Sequence, residues 1–579
     1  MLRKLVLRDP RNARWLVFEH PVAELSAYRS ADVRDVLEEL RRGVDRRGLF
    51  AAGFLGYEAA PAFDAALTVN PTHRLPVACF GLFTEPRAVE EPGPAPAGYR
   101  PAGNWSLQTG RAAYRDRIAT IKREIALGNC YQVNYTIRQQ AELSADPWNL
   151  FLAVAPDMPY AAYLDCDDHA IVSASPELFF SLSGTEVRCR PMKGTARRGM
   201  TSRDDREARR TLYTSAKDRA ENVMIADMVR NDVGRIAAAG SVRADSLYDI
   251  EKYPTVWQMT STVTARTEAP VPEIIAALFP CASVTGAPKA ASMAIIADLE
   301  DSPREIYTGA IGYFAPTREA QFSVAIRTAW VDKRSGVATY GIGGGIVWDS
   351  DPDDEFDECA AKARILGTAA GERDFRLLET MRWTGEDGYF LLDRHLDRLL
   401  ESAEYFDFRC DRGSVLRSLE ELAARLDGGR YRVRLTVCRD GTVDVDHTAL
   451  FGDGPGAPRR VRLAANPIDA DDVFLYHKTT RRGFYERAVR AMPDCDDVLL
   501  YNVDGFVTET TIANILVELN GTWCTPPVSC GLLAGTYRQW LLETEAVEER
   551  RIHVEELGQS TGLLLVNSVR GKVSAILAR

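Results

Sequence analysis

The stretch "GIGGGIVWDSDPDDEFDECAAKA", residues 341–363, changes character twice. The residues before it alternate as a strand, Gly341 to Gly345 then remove almost every side chain, and from Pro352 the spacing turns helical. Asp351 suits the helix cap, Pro352 the first helical position, and Asp353, Asp354 and Glu355 the positive end of the dipole. Glu355, Glu358, Lys362 and Ile365 fall at i, i+3, i+7 and i+10, so they share one stripe. Two readings stand: a solvated Glu358–Lys362 pair at i,i+4, or an inward stripe, which Ile365 favours. The glycines do not fit G-x-G-x-x-G, because Ile346 stands where the third glycine belongs. They read as backbone brought close to a ligand.

Working outward, 579 residues are too many for one core, so two or three domains are expected. A net charge of −11 excludes a general nucleic-acid or membrane-surface role, and an anionic substrate would need a locally positive pocket. Eleven cysteines, with no C-x-x-C pair and no zinc-like Cys/His spacing, suggest reduced thiols in a cytosol. No signal-peptide run opens the chain and no stretch is apolar enough to span a bilayer, so a soluble, cytoplasmic protein is expected.

Residues 86–101 hold five prolines and read as a surface connection, dividing a subregion 1–105 from 106–370. Helical spacing is expected over 111–130 and 211–238, a strand over YQVNYTIRQQAEL, and successive strands YTGAIGYF, FSVAIRTAWV and VATYGIGGGIVW over 306–349. The pattern breaks at 367–375, so a boundary is placed near 370, and a new α/β series runs over 371–579.

Three other motifs carry chemistry in the first half. Glu221 of KDRAENVMIADMVRND shares a helical face with Met224, Ile225 and Met228; it reads either as a buried salt bridge or as a ligand to a hard cation, magnesium fitting best. PCASVTGAPK places Thr285-Gly286 in a loop entering a helix, a donor site for a carboxylate. Arg327, read on a strand with Ala325 and Ala329, has room to grip a planar carboxylate two-pronged.

SASPELFF, PMKGT, AENVMIADMVRND, SVTGAPK, YTGAIGYF, AIRTAW and GIGGGIVWDSDPDDEFDECAAKA, in this order over about 110–367, resemble the chorismate-utilising enzymes. That resemblance implies a two-sheet α/β sandwich with peripheral helices and a magnesium ion held by Glu221 and Glu358 with Glu355 nearby. It implies that Tyr307, Arg327 and the Gly341 backbone hold one carboxylate of chorismate, with Lys362 helping to neutralise the dianion. Family members can also carry a pocket for a tryptophan-like ligand, and GFLGYEAAPAFD (53–64) lies where it would be lined.

Two positions discriminate within the family. Gln132 stands where water-activating members carry lysine, and an amide cannot deprotonate water. Lys193 of PMKGT stands where anthranilate synthases typically carry alanine and aminodeoxychorismate synthases carry lysine. By this resemblance the Lys193 amine attacks ring carbon 2, the C4 hydroxyl leaves with a proton from Glu177, and ammonia adds at C4 and displaces the lysine. No G-x-C-x-G glutaminase motif is present in the sequence, so ammonia is expected from a separate glutamine amidotransferase subunit.

The second half resembles the fold-type IV pyridoxal-phosphate enzymes through H-x-x-R-L, HKTTRR, GFVTETTIANIL and GLLAGTYRQWLLE. On residues alone, Arg398 and Lys478 read more readily as surface side chains. The resemblance implies that Arg398 and the helix start at Gly535-Thr536 hold the cofactor phosphate, that Lys478 bonds the cofactor, and that Glu509 pairs with its ring nitrogen. KTTRR-x-x-Y and VNSVRG are similar to aminodeoxychorismate lyases, with an aminotransferase as the alternative and a homodimer expected through this half. Together the halves imply a 4-aminobenzoate-forming enzyme. The competing readings are an anthranilate-type enzyme fused to an aminotransferase, and a non-catalytic sensor.

Overall fold

The computed structural model describes residues 1–72, 74–96, 99, 105–143, 145–363, 375–451 and 457–578. Two compact units are present: residues 1–197 with 209–371, and residues 198–208 with 372–579.

The first unit is built on two ten-stranded sheets. In the strand Leu2–Asp9 the alternation of side chains decides the layering. Leu5 and Leu7 point into a core shared with Phe54, Phe83 and Ile311 of the second sheet, while Val6 faces Phe151 on the outer side. Because both faces of the sheets are covered, their strands are nearly continuous apolar runs rather than polar–apolar alternations. The helix Arg111–Ala126 covers the outer face of the first sheet through Tyr114, Ile118 and Ile121. Val33–Arg47 and Val271–Leu278 cover the second.

The connection at 86–101 does not divide the chain as its prolines suggest. Arg87–Val89 pairs with Arg14–Glu19, and the strands before it fill places in both sheets, so 1–105 and the following residues share one core. FSVAIRTAWV is likewise two strands. Glu319–Val324 belongs to the second sheet and Thr328–Asp332 to the first, with Arg327 in the left-handed region (φ 50°) at the crossing. Period alone cannot see that crossover, since both pieces are apolar.

The helical stretch at 211–238 is also broken. Ser202–Thr214 ends and Ala216–Gly234 begins around Ser215, whose hydroxyl accepts from the Asp218 N–H at 3.2 Å. Asp351 caps Pro352–Ala363 by accepting from the Asp353 N–H at 2.9 Å. Ile365 and the boundary near 370 lie outside the described residues.

The second unit has a four-stranded sheet and an eight-stranded sheet. Val433, Leu435 and Val437 of Arg430–Val437 pack against Leu396, Leu399 and Ala403 of the helix Leu392–Phe406. The segment 198–208 belongs here, not with its sequence neighbours, because its polar groups are satisfied within this unit. Arg198 donates to the Tyr405 carbonyl at 3.1 Å, the Tyr405 hydroxyl to the Gly199 carbonyl at 2.8 Å, and Ser202 to the Glu401 carbonyl at 2.9 Å. No helix among the described residues is long and apolar enough to cross a membrane.

The Ser215 cap governs the helix that carries Glu221. Ser215→Ala is expected to destabilise the protein by about 1 kcal/mol, read as a lower urea midpoint, and Ser215→Asp to restore it.

Candidate functional site

Two cavities, one in each unit, gather the chemistry. The first has a volume of about 200 Å³. One wall is the glycine run of Val337–Ile346: a β-carbon on Gly345 would stand 2.1 Å from both the Gln132 Nε2 and the Lys193 Nζ, the ends of two side chains that would have to move aside. The same addition at Gly341 would meet the Tyr307 ring at 2.3 Å. The glycines therefore let two polar side chains and a ring close onto bare backbone.

Lys193 lies on the edge strand Met192–Arg197, with its backbone carbonyl held by the Asn222 side-chain amide at 3.0 Å. Its Nζ is 3.8 Å from the Glu221 carboxylate, and both side chains are largely covered. Burial raises the Glu221 pKa, with Lys193 opposing. Glu177 is fully enclosed, accepts from the Ser283 hydroxyl at 2.6 Å, and is pushed up to about 7 by burial. A carboxyl at that value holds its proton near neutrality and can still give it up.

From the helix Pro352–Ala363, Glu355, Glu358 and Lys362 line the same cavity. Glu358 and Lys362 do form the i,i+4 pair, at 2.7 Å, and the Lys362 Nζ also donates to the Gly343 carbonyl at 2.9 Å. The Lys362 charge lowers the Glu358 pKa, whereas burial raises Glu355, which accepts from Ser350 at 2.7 Å. Among the described residues no three acidic, His or Cys side chains meet as a metal-ligand set. Glu221 and Glu355 nevertheless stand as under-compensated buried carboxylates, each raised further by Glu358, which is the chemistry a hard cation relieves.

Arg327 points into this cavity from the crossover. Its guanidinium stacks over Tyr253 and donates only to the Met158 sulfur at 3.9 Å, and desolvation lowers its pKa. No carboxylate pairs with it among the described residues, so an anion is its missing partner. Thr285 departs from expectation. It is wholly buried behind the wall and its hydroxyl donates to the Cys281 carbonyl at 3.2 Å, while Ser283 takes the lining position. The stretch 53–64 lines neither cavity: Tyr57 and Glu58 are core residues, with Arg304 stacked on Tyr57.

The second cavity, of about 460 Å³, is lined by Arg398, Lys478, Glu509, Gly535 and Thr536. Lys478 immediately precedes Thr479, which bridges to Leu377, and its carbonyl accepts from the Leu378 N–H at 2.9 Å. Burial, with Arg398 nearby, brings its amine down to about 8. Glu509 is pushed up to about 7 by burial and is held by the Tyr485 hydroxyl at 2.5 Å and the Asn514 amide at 3.1 Å.

Gly535 caps the helix Thr536–Thr544, and a β-carbon there would meet the Asn514 Oδ1 at 1.9 Å. Bare N–H groups at a helix start and a guanidinium make an anion cradle. Arg398 grips Glu379 with two bonds, at 2.8 and 2.7 Å, and the Glu379 Oε2 that it shares also takes the His395 Nδ1 at 2.7 Å. The His395 Nε2 reaches the Thr536 hydroxyl at 3.2 Å. Burial would raise Glu379, but Arg398 and His395 outweigh it and hold it at about 2. Glu379 and His395 were not among the expected site residues. The signal was present, an acid inside the apolar strand LLETM and a histidine in H-x-x-R, but each has a bland reading alone.

Residues 2–367 match the chorismate binding enzyme family. The chain belongs to that family. Its residues 376–576 match the class IV amino-transferases, a match that implies pyridoxal phosphate as a cofactor. The chorismate-binding half is 43% identical over 299 residues to an aminodeoxychorismate synthase of Streptomyces griseus, covering 50% of this chain and 41% of that protein. It is 38% identical over 268 residues to aminodeoxychorismate synthase component 1 of Escherichia coli, covering 45% and 59%. The aligned part thus spans about half the length of these relatives. In fold, the chain is similar to anthranilate synthase component I from Streptococcus pneumoniae at 23% identity and a TM-score of 0.54, covering 63% of this chain and 92% of that one.

Removing one partner of the buried Glu379–Arg398 pair strands the other charge. Glu379→Gln is expected to cost about 3 kcal/mol or more in the stability of the second unit and to weaken retention of pyridoxal phosphate on gel filtration. The stability Glu379 lends is complete above its ordinary value of 4.5 and is lost as pH falls toward about 2, so the variant's acid denaturation profile will be flatter in that window.

Proposed function

We propose that this chain makes 4-aminobenzoate from chorismate and ammonia in two steps, one in each cavity. The observation that carries the reading is the amine of Lys193 closing on the Gly345 backbone beside Gln132, in a cavity that also holds the anion-seeking Arg327 and the proton-bearing Glu177. The likeness of this half to aminodeoxychorismate synthases supports it.

In the first cavity Arg327 pairs with one carboxylate of chorismate beside the Gly341 backbone. Glu221 and Glu358, with Glu355 behind them, would hold a magnesium ion that neutralises the ring carboxylate, and Lys362 adds positive charge. Lys193 attacks ring carbon 2 while the ring double bonds shift and the C4–O bond breaks, and Glu177 gives its proton to the departing hydroxyl. Ammonia then adds at C4, the double bonds shift back and the Lys193–C2 bond breaks. The balance is chorismate plus ammonia to 4-amino-4-deoxychorismate plus water. With Gln132 in place of a base, water is not activated, which keeps the product aminated. The ammonia comes from a separate glutamine amidotransferase subunit.

In the second cavity Arg398, Gly535 and Thr536 would hold the phosphate of pyridoxal phosphate, with Glu509 opposite the ring nitrogen. The cofactor supplies the electron sink. Lys478 moves the proton from the substrate carbon that bears the amine, and pyruvate leaves from the neighbouring carbon as the ring aromatises. An aminotransferase is the alternative for this half, and pyruvate release with no amino acceptor present separates the two.

Lys193→Ala is expected to abolish 4-aminobenzoate formation from chorismate, ammonium and magnesium while chorismate still binds by calorimetry. Product formation at the ordinary rate by this variant ends the reading. With Glu177 at about 7, the rate of chorismate consumption should fall as pH rises through that value, and Glu177→Gln should remove that limb along with most of the rate.

A further inference from the structure

The second cavity carries more positive charge than a phosphate ester accounts for. Arg398 is already balanced by Glu379. Four further guanidiniums line the cavity, that of Arg482 half-buried and those of Arg432, Arg434 and Arg570 exposed, and no carboxylate pairs with any of them among the described residues. Glu509 is the acid on that lining, and a cofactor ring nitrogen would occupy it. A phosphate dianion cancels two of the four charges, and a charge of about two remains along the cavity lining of a protein whose net charge is −11. An ordinary amino acid brings one carboxylate.

Arg432 and Arg434 are placed by strand alternation. On Arg430–Val437 the odd positions Val433, Leu435 and Val437 are fully buried in the core, so Arg432 and Arg434 share the other face, about 6.6 Å apart along the strand. Arg434 pairs across the sheet with Thr380, and Thr380 lies two residues from Leu378, whose N–H holds the Lys478 carbonyl. The two guanidiniums therefore stand one strand away from the strand that anchors Lys478. On the far side, the Asp446 carboxylate turns to the His447 N–H at 2.8 Å and leaves Arg434 free of it.

We propose that Arg432 and Arg434 form a dicarboxylate subsite, which selects a substrate with two carboxylates over monocarboxylate amino acids. The inference rests on the lyase reading of this half, whose substrate carries one carboxylate on the ring and one on the enolpyruvyl group.

The test uses the full chain loaded with pyridoxal phosphate. Isophthalate and benzoate, unreactive probes with two carboxylates and one, are titrated against the cofactor's visible absorbance. Pyruvate release from 4-amino-4-deoxychorismate is followed in parallel. The unaltered chain should bind isophthalate about tenfold tighter than benzoate, and Arg432→Gln/Arg434→Gln should lose that preference while retaining the cofactor. Each single Gln variant should raise KM about tenfold with kcat little changed, and Arg434→Lys should recover part of the loss. A preference that survives in the double variant, or is missing from the unaltered chain, overturns the subsite. Lack of pyruvate release by the unaltered chain, with the preference intact, overturns the lyase reading and leaves the dicarboxylate subsite supported.

Discussion

The first cavity depends on the absence of side chains from one strand. Gly341, Gly344 and Gly345 leave space that Tyr307, Glu355, Gln132 and Lys193 fill from three directions. A β-carbon at 345 would displace the amide and the amine from the backbone they now approach. The surrounding sandwich serves that geometry. Its first sheet supplies the bare strand, the second supplies Lys193, and Arg327 stands where the chain passes between them. Close-packed cores on both faces hold the two sheets against each other, and the Lys193 side chain is largely covered.

The second cavity is organised by a different constraint, one buried carboxylate shared by two cationic partners. Glu379 spends both oxygens on Arg398 and His395, and through them sets a guanidinium and a threonine hydroxyl at the start of a helix. Burial acts on the working groups in opposite senses, bringing Lys478 down and Glu509 up until both lie near neutrality. The desolvation that would be costly in a structural pair here serves proton movement.

Much of this was legible in the chain. The fold of each half followed from ordered motifs, because glycine runs, proline-started helices and inward carboxylates leave marks that survive without coordinates. What was not legible has physical causes. FSVAIRTAWV reads as one strand because apolar residues on both sides of Arg327 satisfy either sheet, and only the left-handed turn reveals the crossing. Thr285 resembled a ligand donor because its loop enters a helix, yet a hydroxyl there finds a nearer carbonyl at Cys281. Ser283, two residues earlier, faces the cavity, and a one-dimensional reading has no means to choose between them. Glu379 and His395 were missed because their value lies in a three-body contact spread over nineteen residues of chain, from 379 to 398.

The excursion of residues 198–208 bears on how the two halves could be separated. A gene cut at 370 would give a C-terminal fragment without the carbonyls of Gly199 and Met200, leaving the Tyr405 hydroxyl and the His477 ring, next to Lys478, short of their acceptors. The two units are thus interleaved along the gene although each has its own core. Domain shuffling or modular engineering of this fusion has to carry that short strap along with the part to which it is bonded.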